Sequence, residues 1–204
     1  HDLKTPASTL SPPLQNLHQH FADPAFRDDA LRAVGKSVNH LNDLITRLSR
    51  LREGLKVQPA PTDLSRVVQS AIAALGPAPG IKVETQIQPT PQALVDAEQL
   101  QKVALNLLLN ARDASAAGAT VRVETTTHHG WAALSVTDSG CGMSPEFVAR
   151  SLFRPFQTTK KNGLGIGMFH SRMIVEAHRG RMEVDTAPGR GTTIRVLLPL
   201  AATA

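Results

Sequence analysis

Asn106-Leu107-Leu108-Leu109-Asn110-Ala111-Arg112-Asp113 sets two carboxamides and a carboxylate four and three residues apart, on one face of a helix. Asn is a poor helix former because its side chain competes for backbone groups, so two on one face need a reason. A carboxamide oxygen can ligate Mg²⁺, an ion that keeps several waters and takes few protein ligands. This stretch alone leaves a second reading open, two amides on a helix surface. The helix reads from an N-cap at Asp96 through about Ser115, with Gly118 beyond it.

Outward from that helix the pattern alternates. Upstream, Thr62-Asp63 caps a helix running to about Leu75, a turn cluster covers 76–80, and 81–87 alternates as a strand. Downstream, 121–127 and 132–137 form a strand pair around Gly130. A helix is expected over 165–178, and closing strands over 182–185 and 192–198. Helices among mostly antiparallel strand pairs predict an α/β sandwich, with helices on one face of a mixed sheet.

Three glycine-bearing segments follow the asparagine helix. Asp138-Ser139-Gly140-Cys141-Gly142-Met143 closes a strand. A carboxylate there can accept a hydrogen bond from an exocyclic amine, and two glycines let backbone approach a flat ring; a tight turn is the plainer reading. Gly163-Leu164-Gly165-Ile166-Gly167-Met168 opens a helix, and glycine-rich turns into helix N-termini bind phosphates through free N–H groups. It does not directly follow a strand, which argues against a dinucleotide fingerprint. Gly189-Arg190-Gly191-Thr192 precedes the last strand and alone reads as a hairpin turn. Between the first two lies Leu152-Phe153-Arg154-Pro155-Phe156-Gln157-Thr158-Thr159-Lys160-Lys161, in which two Phe can pin a loop to the core and two Lys can meet a triphosphate.

Composition narrows the class. With 204 residues, 41% hydrophobic and 19% charged, the chain allows one domain or two small ones and is too apolar for a disordered polymer. No apolar run is long enough to span a membrane. Its single cysteine, Cys141, permits no intrachain disulfide. That fits a reducing compartment, and with no leader legible a cytoplasmic location is expected. The net charge of +5 is spread out, and aromatics are 3% with no Tyr, so nucleic acid is not an expected partner. The adjacent His128-His129 in a hairpin turn make no metal site without further ligands.

Residues 1–58 read differently. Leu3, Leu10, Leu14, Leu17 and Phe21, then Leu31, Val34, Val38, Leu41, Ile45 and Leu48, fall near a 3.5-residue spacing. Asp23-Pro24 suits the start of a second helix. Two such helices cannot bury their stripes alone; a homodimeric four-helix bundle is the economical solution, and an ordinary hairpin packed on the rest of the chain is the other reading. Pro12-Pro13 conflicts with the pattern, since interior proline costs a helix about 3 kcal/mol, and a bend or break is expected near Ser11. Pro59-Ala60-Pro61 reads as a linker.

Taken in order over about 106 to 192, the asparagine box, the Asp138 turn, the Phe153-Arg154-Pro155-Phe156 segment and the two glycine-rich turns resemble the Bergerat-type (GHKL) ATP-binding fold. That fold is shared by sensor histidine kinases, the Hsp90 chaperones and the MutL mismatch-repair ATPases. His1-Asp2-Leu3-Lys4-Thr5-Pro6 is similar to the phosphoacceptor box of sensor histidine kinases. The resemblance implies an α+β chain: a dimerising histidine-phosphotransfer hairpin over 1–58, then a catalytic ATP-binding domain over 62–204.

By position, the resemblance implies that Asn110 binds Mg²⁺ and that Asn106 supports it and the phosphates, with Asp113 on the same helix face. Asp138 would read the adenine amine, with Gly140 and Gly142 against the nucleotide and Thr192 near the adenine side. Phe156, Thr158, Thr159, Lys160 and Lys161 fall in or beside a short ATP lid. Gly163, Leu164, Gly165, Ile166 and Gly167 would border the phosphates. His1 would be the nucleophile, Asp2 would accept from its Nδ1–H, and Thr5 would orient water for dephosphorylating a partner. That partner is the receiver domain of a response regulator, whose Asp takes the phosphoryl group. Hydrolases of this fold carry a Glu where Asn106 stands, which argues against ATP hydrolysis; a non-catalytic binding module is the other rival, and the intact boxes argue against it. Ala7 replaces a usual Leu. The family also carries a helix, and often sensor and membrane segments, before its His, so this chain is expected to be a fragment.

Overall fold

In the computed structural model, the structure describes residues 32, 56–76, 80–88, 92–160 and 163–201. The chain divides into two units, His1–Leu55 and Lys56–Ala204, and every element named below belongs to the second. The expected hairpin, its dimeric bundle and the Pro12-Pro13 break lie outside the described residues, as do His1, Asp2, Thr5 and Lys161.

Asp63 starts α1 (Leu64–Leu75) by accepting from the Ser65 N–H at 2.8 Å, and Leu64, Val67, Val68 and Ala71 bury one stripe of it. Asp96 caps α2 (Ala97–Ala114) through the Gln99 N–H at 3.1 Å. Its buried residues, Leu100, Val103, Ala104, Leu107, Leu108 and Ala111, repeat at three and four. That stripe puts α2 at the centre of the helical layer, packed against α1, against α4 (Gly167–Ala177) and against the sheet.

The sheet has five strands in the order β2 (Ile81–Ile87), β4 (Ala119–His128), β5 (Trp131–Asp138), β7 (Thr192–Pro199), β6 (Arg181–Thr186). β2 and β4 are parallel and the other pairs antiparallel, giving the mixed sheet that the pattern predicts. The register aligns Val123, Val136 and Ile194, then Thr125, Leu134 and Val196, on one face, all buried. On the opposite face Glu124, Ser135, Arg195 and Glu183 align in a polar row, while Ala133 and Leu197 beyond them are buried. His129 and Gly130, both at positive φ, make the two-residue turn of the β4–β5 hairpin.

Three features depart from the sequence pattern. The expected linker at Pro59-Ala60-Pro61 contributes β1 (Ala60–Thr62), which pairs antiparallel with β3 (Ala93–Val95). Strands of three residues are too short to show a period. A short helix, α3 (Pro145–Arg150), follows the Asp138 turn, with Ser144 as N-cap and Pro145 in its first turn. The last helix starts at Gly167 rather than Gly165, because Gly165 sits at φ 65°, outside the helical region.

Candidate functional site

The register places the two ends of the adenine-side expectation together: Asp138, last in β5, pairs with Thr192, first in β7. Asp138 Oδ1 accepts from the Gly140 N–H at 2.8 Å. Burial pushes the Asp138 carboxyl above its usual range, although the Gly140 and Thr192 N–H groups favour its charged form. A half-buried carboxylate with a raised pKa is one that would gain from a donor supplied by a ligand.

The glycines around it are explained first by protein neighbours. A Cβ at Gly140 would strike the carbonyl of Ala114 at the end of α2, the same carbonyl that accepts from the Cys141 N–H at 3.1 Å. Gly142, at φ 64°, faces the Ala187 carbonyl, and Gly191 faces that of Asp138. Thr186 Oγ1 ties the two turns: it accepts from the Met143 N–H at 3.0 Å, donates to the Gly191 carbonyl at 2.9 Å and meets Thr192 Oγ1 at 3.0 Å. The Asp138 turn is therefore clamped to both α2 and β7.

On the other side of α2, Asn106 Nδ2 donates to Ser171 Oγ at 3.0 Å and lies 3.8 Å from the sulfur of Met168, both on α4. A Cβ at Gly167 would overlap Asn106 Oδ1, so glycine is what lets α4 begin this close to α2. α4 has no side-chain cap, which leaves its N-terminal N–H groups and dipole directed at whatever lies before it.

One turn further along α2, Asn110 Oδ1 accepts from Lys160 Nζ at 2.8 Å. The same ammonium lies 2.8 Å from Asp113 Oδ2, while Arg112 meets Asp113 Oδ1 at 2.9 Å. Burial works against the Asp113 charge, but Lys160 and Arg112 outweigh it and hold that carboxyl below its usual range. Before Lys160, Thr158 Oγ1 accepts from the Lys160 N–H at 3.0 Å, and the Phe156 N–H donates to the Gly165 carbonyl at 3.0 Å. A Cβ at Gly163 would meet Thr158 Oγ1 and the Lys160 side chain, and one at Gly165 would strike Gln157. Thr159, Leu164 and Ile166 complete this folded-back segment.

The two Phe expected to anchor the loop are only half-buried. Leu152 is the buried anchor, and Phe153 instead lies under the Arg172 guanidinium, 5.1 Å from its carbon. Ser171, Arg112 and Thr186 carry contacts that nothing in the pattern marked. Ser171 and Thr186 are ordinary polar residues with partners on other elements, and Arg112 pairs with its own neighbour Asp113.

Among the described residues no group of three or more His, Cys, Asp or Glu could hold a metal. Asn110 Oδ1 already receives a cation, Lys160, beside a carboxylate. One carboxamide oxygen, with water and ligand oxygens completing the shell, suits Mg²⁺ arriving with phosphates better than a dedicated protein cage.

A carboxylate fixed by a strand end, asparagines on the neighbouring helix and an uncapped helix beyond a glycine turn define a nucleotide-binding α/β domain. The chain belongs to the family of histidine kinase-, DNA gyrase B- and HSP90-like ATPases, which it matches over residues 95–202. It is 34% identical over 194 residues to a bacteriophytochrome of Pseudomonas aeruginosa, covering 91% of this chain and 26% of that one. To the signal transduction histidine-protein kinase AtoS of Escherichia coli it is 28% identical, covering 98% of this chain and 33% of the relative. It thus spans about a quarter to a third of these relatives. Among solved structures, a mycobacterial sensor histidine kinase, MprB, matches with a TM-score of 0.64 at 28% identity, covering 70% of this chain and 97% of that one. Full-length ShkA in complex with AMPPNP shares the fold with a TM-score of 0.71 at 23% identity, covering 88% of this chain and 40% of that one. The catalytic domain is that of a sensor histidine kinase.

Proposed function

We propose that this chain is the ATP-dependent core of a protein-histidine kinase that acts in the cytoplasm as a homodimer. The adenine amine hydrogen-bonds Asp138, and the phosphates lie between Asn106, Asn110 and the N-terminus of α4, bordered by Thr158, Thr159, Lys160 and Lys161. Asn110 would hold Mg²⁺, which when bound would supply positive charge to offset that of the phosphates. Phosphoryl transfer passes through a loose transition state, so positioning and charge stabilisation do most of the work. The Nε2 lone pair of His1 takes the γ-phosphoryl group as the bond to the β-bridging oxygen breaks and ADP departs. Asp2 accepts from Nδ1–H and steadies the positive charge that develops. The group then passes to an Asp of a response-regulator receiver domain, and Thr5 orients water for the reverse, dephosphorylating role.

The observation that carries this reading is at Asn106. Its amide donates to Ser171, and a carboxamide has no proton-accepting base to offer water, so the site favours transfer over hydrolysis. Incubation with γ-labelled ATP and Mg²⁺ tests it. Acid-labile, alkali-stable label, absent from His1→Gln and Asn110→Ala, is expected. Steady phosphate release that survives His1→Gln would overturn the kinase reading in favour of a hydrolase.

A further inference from the structure

The contact between Lys160 and the asparagine helix reaches beyond the proposed role of that lysine as one of several cations near phosphates. Lys160 Nζ lies 2.8 Å from Asn110 Oδ1 and 2.8 Å from Asp113 Oδ2. In the nucleotide-binding reading, on which this inference rests, the first of those atoms is the metal ligand. An ammonium and a divalent cation on that one oxygen would be positive charges only a few ångströms apart and repel strongly, which favours exchange over sharing. Two local features aim Lys160 there. Its backbone N–H is held by Thr158 Oγ1 at 3.0 Å, and Gly163 leaves room for its side chain where a Cβ would crowd Lys160 Cβ at 3.1 Å. Arg112 sits on the far oxygen of Asp113 and does not touch Asn110.

We propose that Lys160 is a built-in counter-cation that occupies the metal ligand in the nucleotide-free domain, so that Mg²⁺ binding and release of Lys160 from Asn110 and Asp113 are one exchange. The lysine then acts as a positioning residue. It keeps the carboxylate of Asp113 compensated and the Asn110 amide aligned before nucleotide arrives, and it sets how much Mg²⁺ the site needs. The Lys160 and Asp113 side chains are 39% and 36% exposed, so the pair is a weak latch, and exposed pairs of this kind shift an equilibrium by roughly two- to five-fold.

Two measurements test it. In nucleotide-free protein, competitive labelling of lysines with an amine-reactive ester, read by mass spectrometry, reports the Lys160 contact directly. Lys160 is expected to react slowly, and Asp113→Asn to raise its rate by a few-fold relative to the other lysines. An unchanged rate would overturn the contact. Binding of a fluorescent ATP analogue, titrated with Mg²⁺ from a metal-free start, reports the exchange. Lys160→Met is expected to lower the Mg²⁺ midpoint by two- to five-fold, and Arg112→Met, which removes a charge from the same carboxylate but leaves Asn110 alone, by less. A midpoint that rises in Lys160→Met, or that falls equally in Arg112→Met, would overturn it in favour of a plain phosphate contact or a general field effect. A chain that binds no analogue at all would overturn the nucleotide reading and the exchange together, while the labelling rate would still decide the contact.

Discussion

Gly167 shows how a single missing methyl group can outweigh propensity. Alanine at a helix position is normally better than glycine by about 1 kcal/mol. Here the added Cβ would overlap Asn106 Oδ1 and push that side chain from Ser171. Gly167→Ala is therefore expected to lower the melting temperature despite alanine's better propensity, and to weaken nucleotide binding at least several-fold, which melting curves and titration together would reveal. Asp138 gives a pH signature. Its carboxyl is raised by burial, and the charged form accepts from an adenine amine more strongly than the protonated one. Nucleotide affinity should fall as pH drops through that raised value, at a pH above the ordinary Asp value of 3.8. The sign for stability is opposite. The folded domain holds this proton more tightly than the unfolded chain, so raising the pH from the ordinary range through the raised value costs stability. Affinity measured across the acid range, beside melting curves, checks both.

At the scale of elements, α2 connects everything in the site. Its N-cap residue, Asp96, accepts from Gln99 and from Gln58 in the segment before β1, and its own N–H donates to His178 Nε2 at 2.8 Å. His178 is buried just past the end of α4, and its Nδ1–H donates to the Ile174 carbonyl at 2.7 Å, which fixes the neutral tautomer. Nothing in the local sequence marks this histidine, because its partners come from a residue one helical turn back and from the N-cap of another helix. His178→Ala would orphan the Asp96 N–H inside the domain. A loss of about 1–3 kcal/mol is expected by chemical denaturation, with nucleotide affinity changed far less than stability. Leu108→Ala, in the stripe that α2 buries against its neighbours, should lose about 2–5 kcal/mol. The long elements were legible for physical reasons: Asp63 and Asp96 are strong caps, α2 repeats its apolar residues cleanly, and Gly130 marks a hairpin. The short ones were not. β1 and β3 are three residues each and rest on partners far away in sequence, and α3 carries a Ser-Pro start that a six-residue helix does little to reinforce.

For the whole molecule, the order of motifs groups segments that lie far apart along the chain. The segments that it grouped do meet around α2, with the Asp138 turn at its C-terminal end and α4 and Lys160 along its side. What spacing could not show is which contacts hold them there. Gly140 and Gly142 face protein carbonyls in the direction a side chain would take, and Asn110 faces a lysine from a loop 50 residues away. Such partners are set by tertiary packing and leave no trace in local pattern. The central claim, that the Asp138 turn reads adenine while Asn110 serves the metal on the phosphates, is tested most directly by calorimetric titration of a non-hydrolysable ATP analogue. The titration is run with and without Mg²⁺ on the protein, on Asp138→Asn and on Asn110→Ala. Loss of the charge-assisted hydrogen bond predicts roughly a tenfold or greater fall for Asp138→Asn in both conditions. Asn110→Ala should weaken binding only when Mg²⁺ is present. Unchanged affinity in Asp138→Asn, or an Asn110→Ala loss that is the same without metal, would contradict the account.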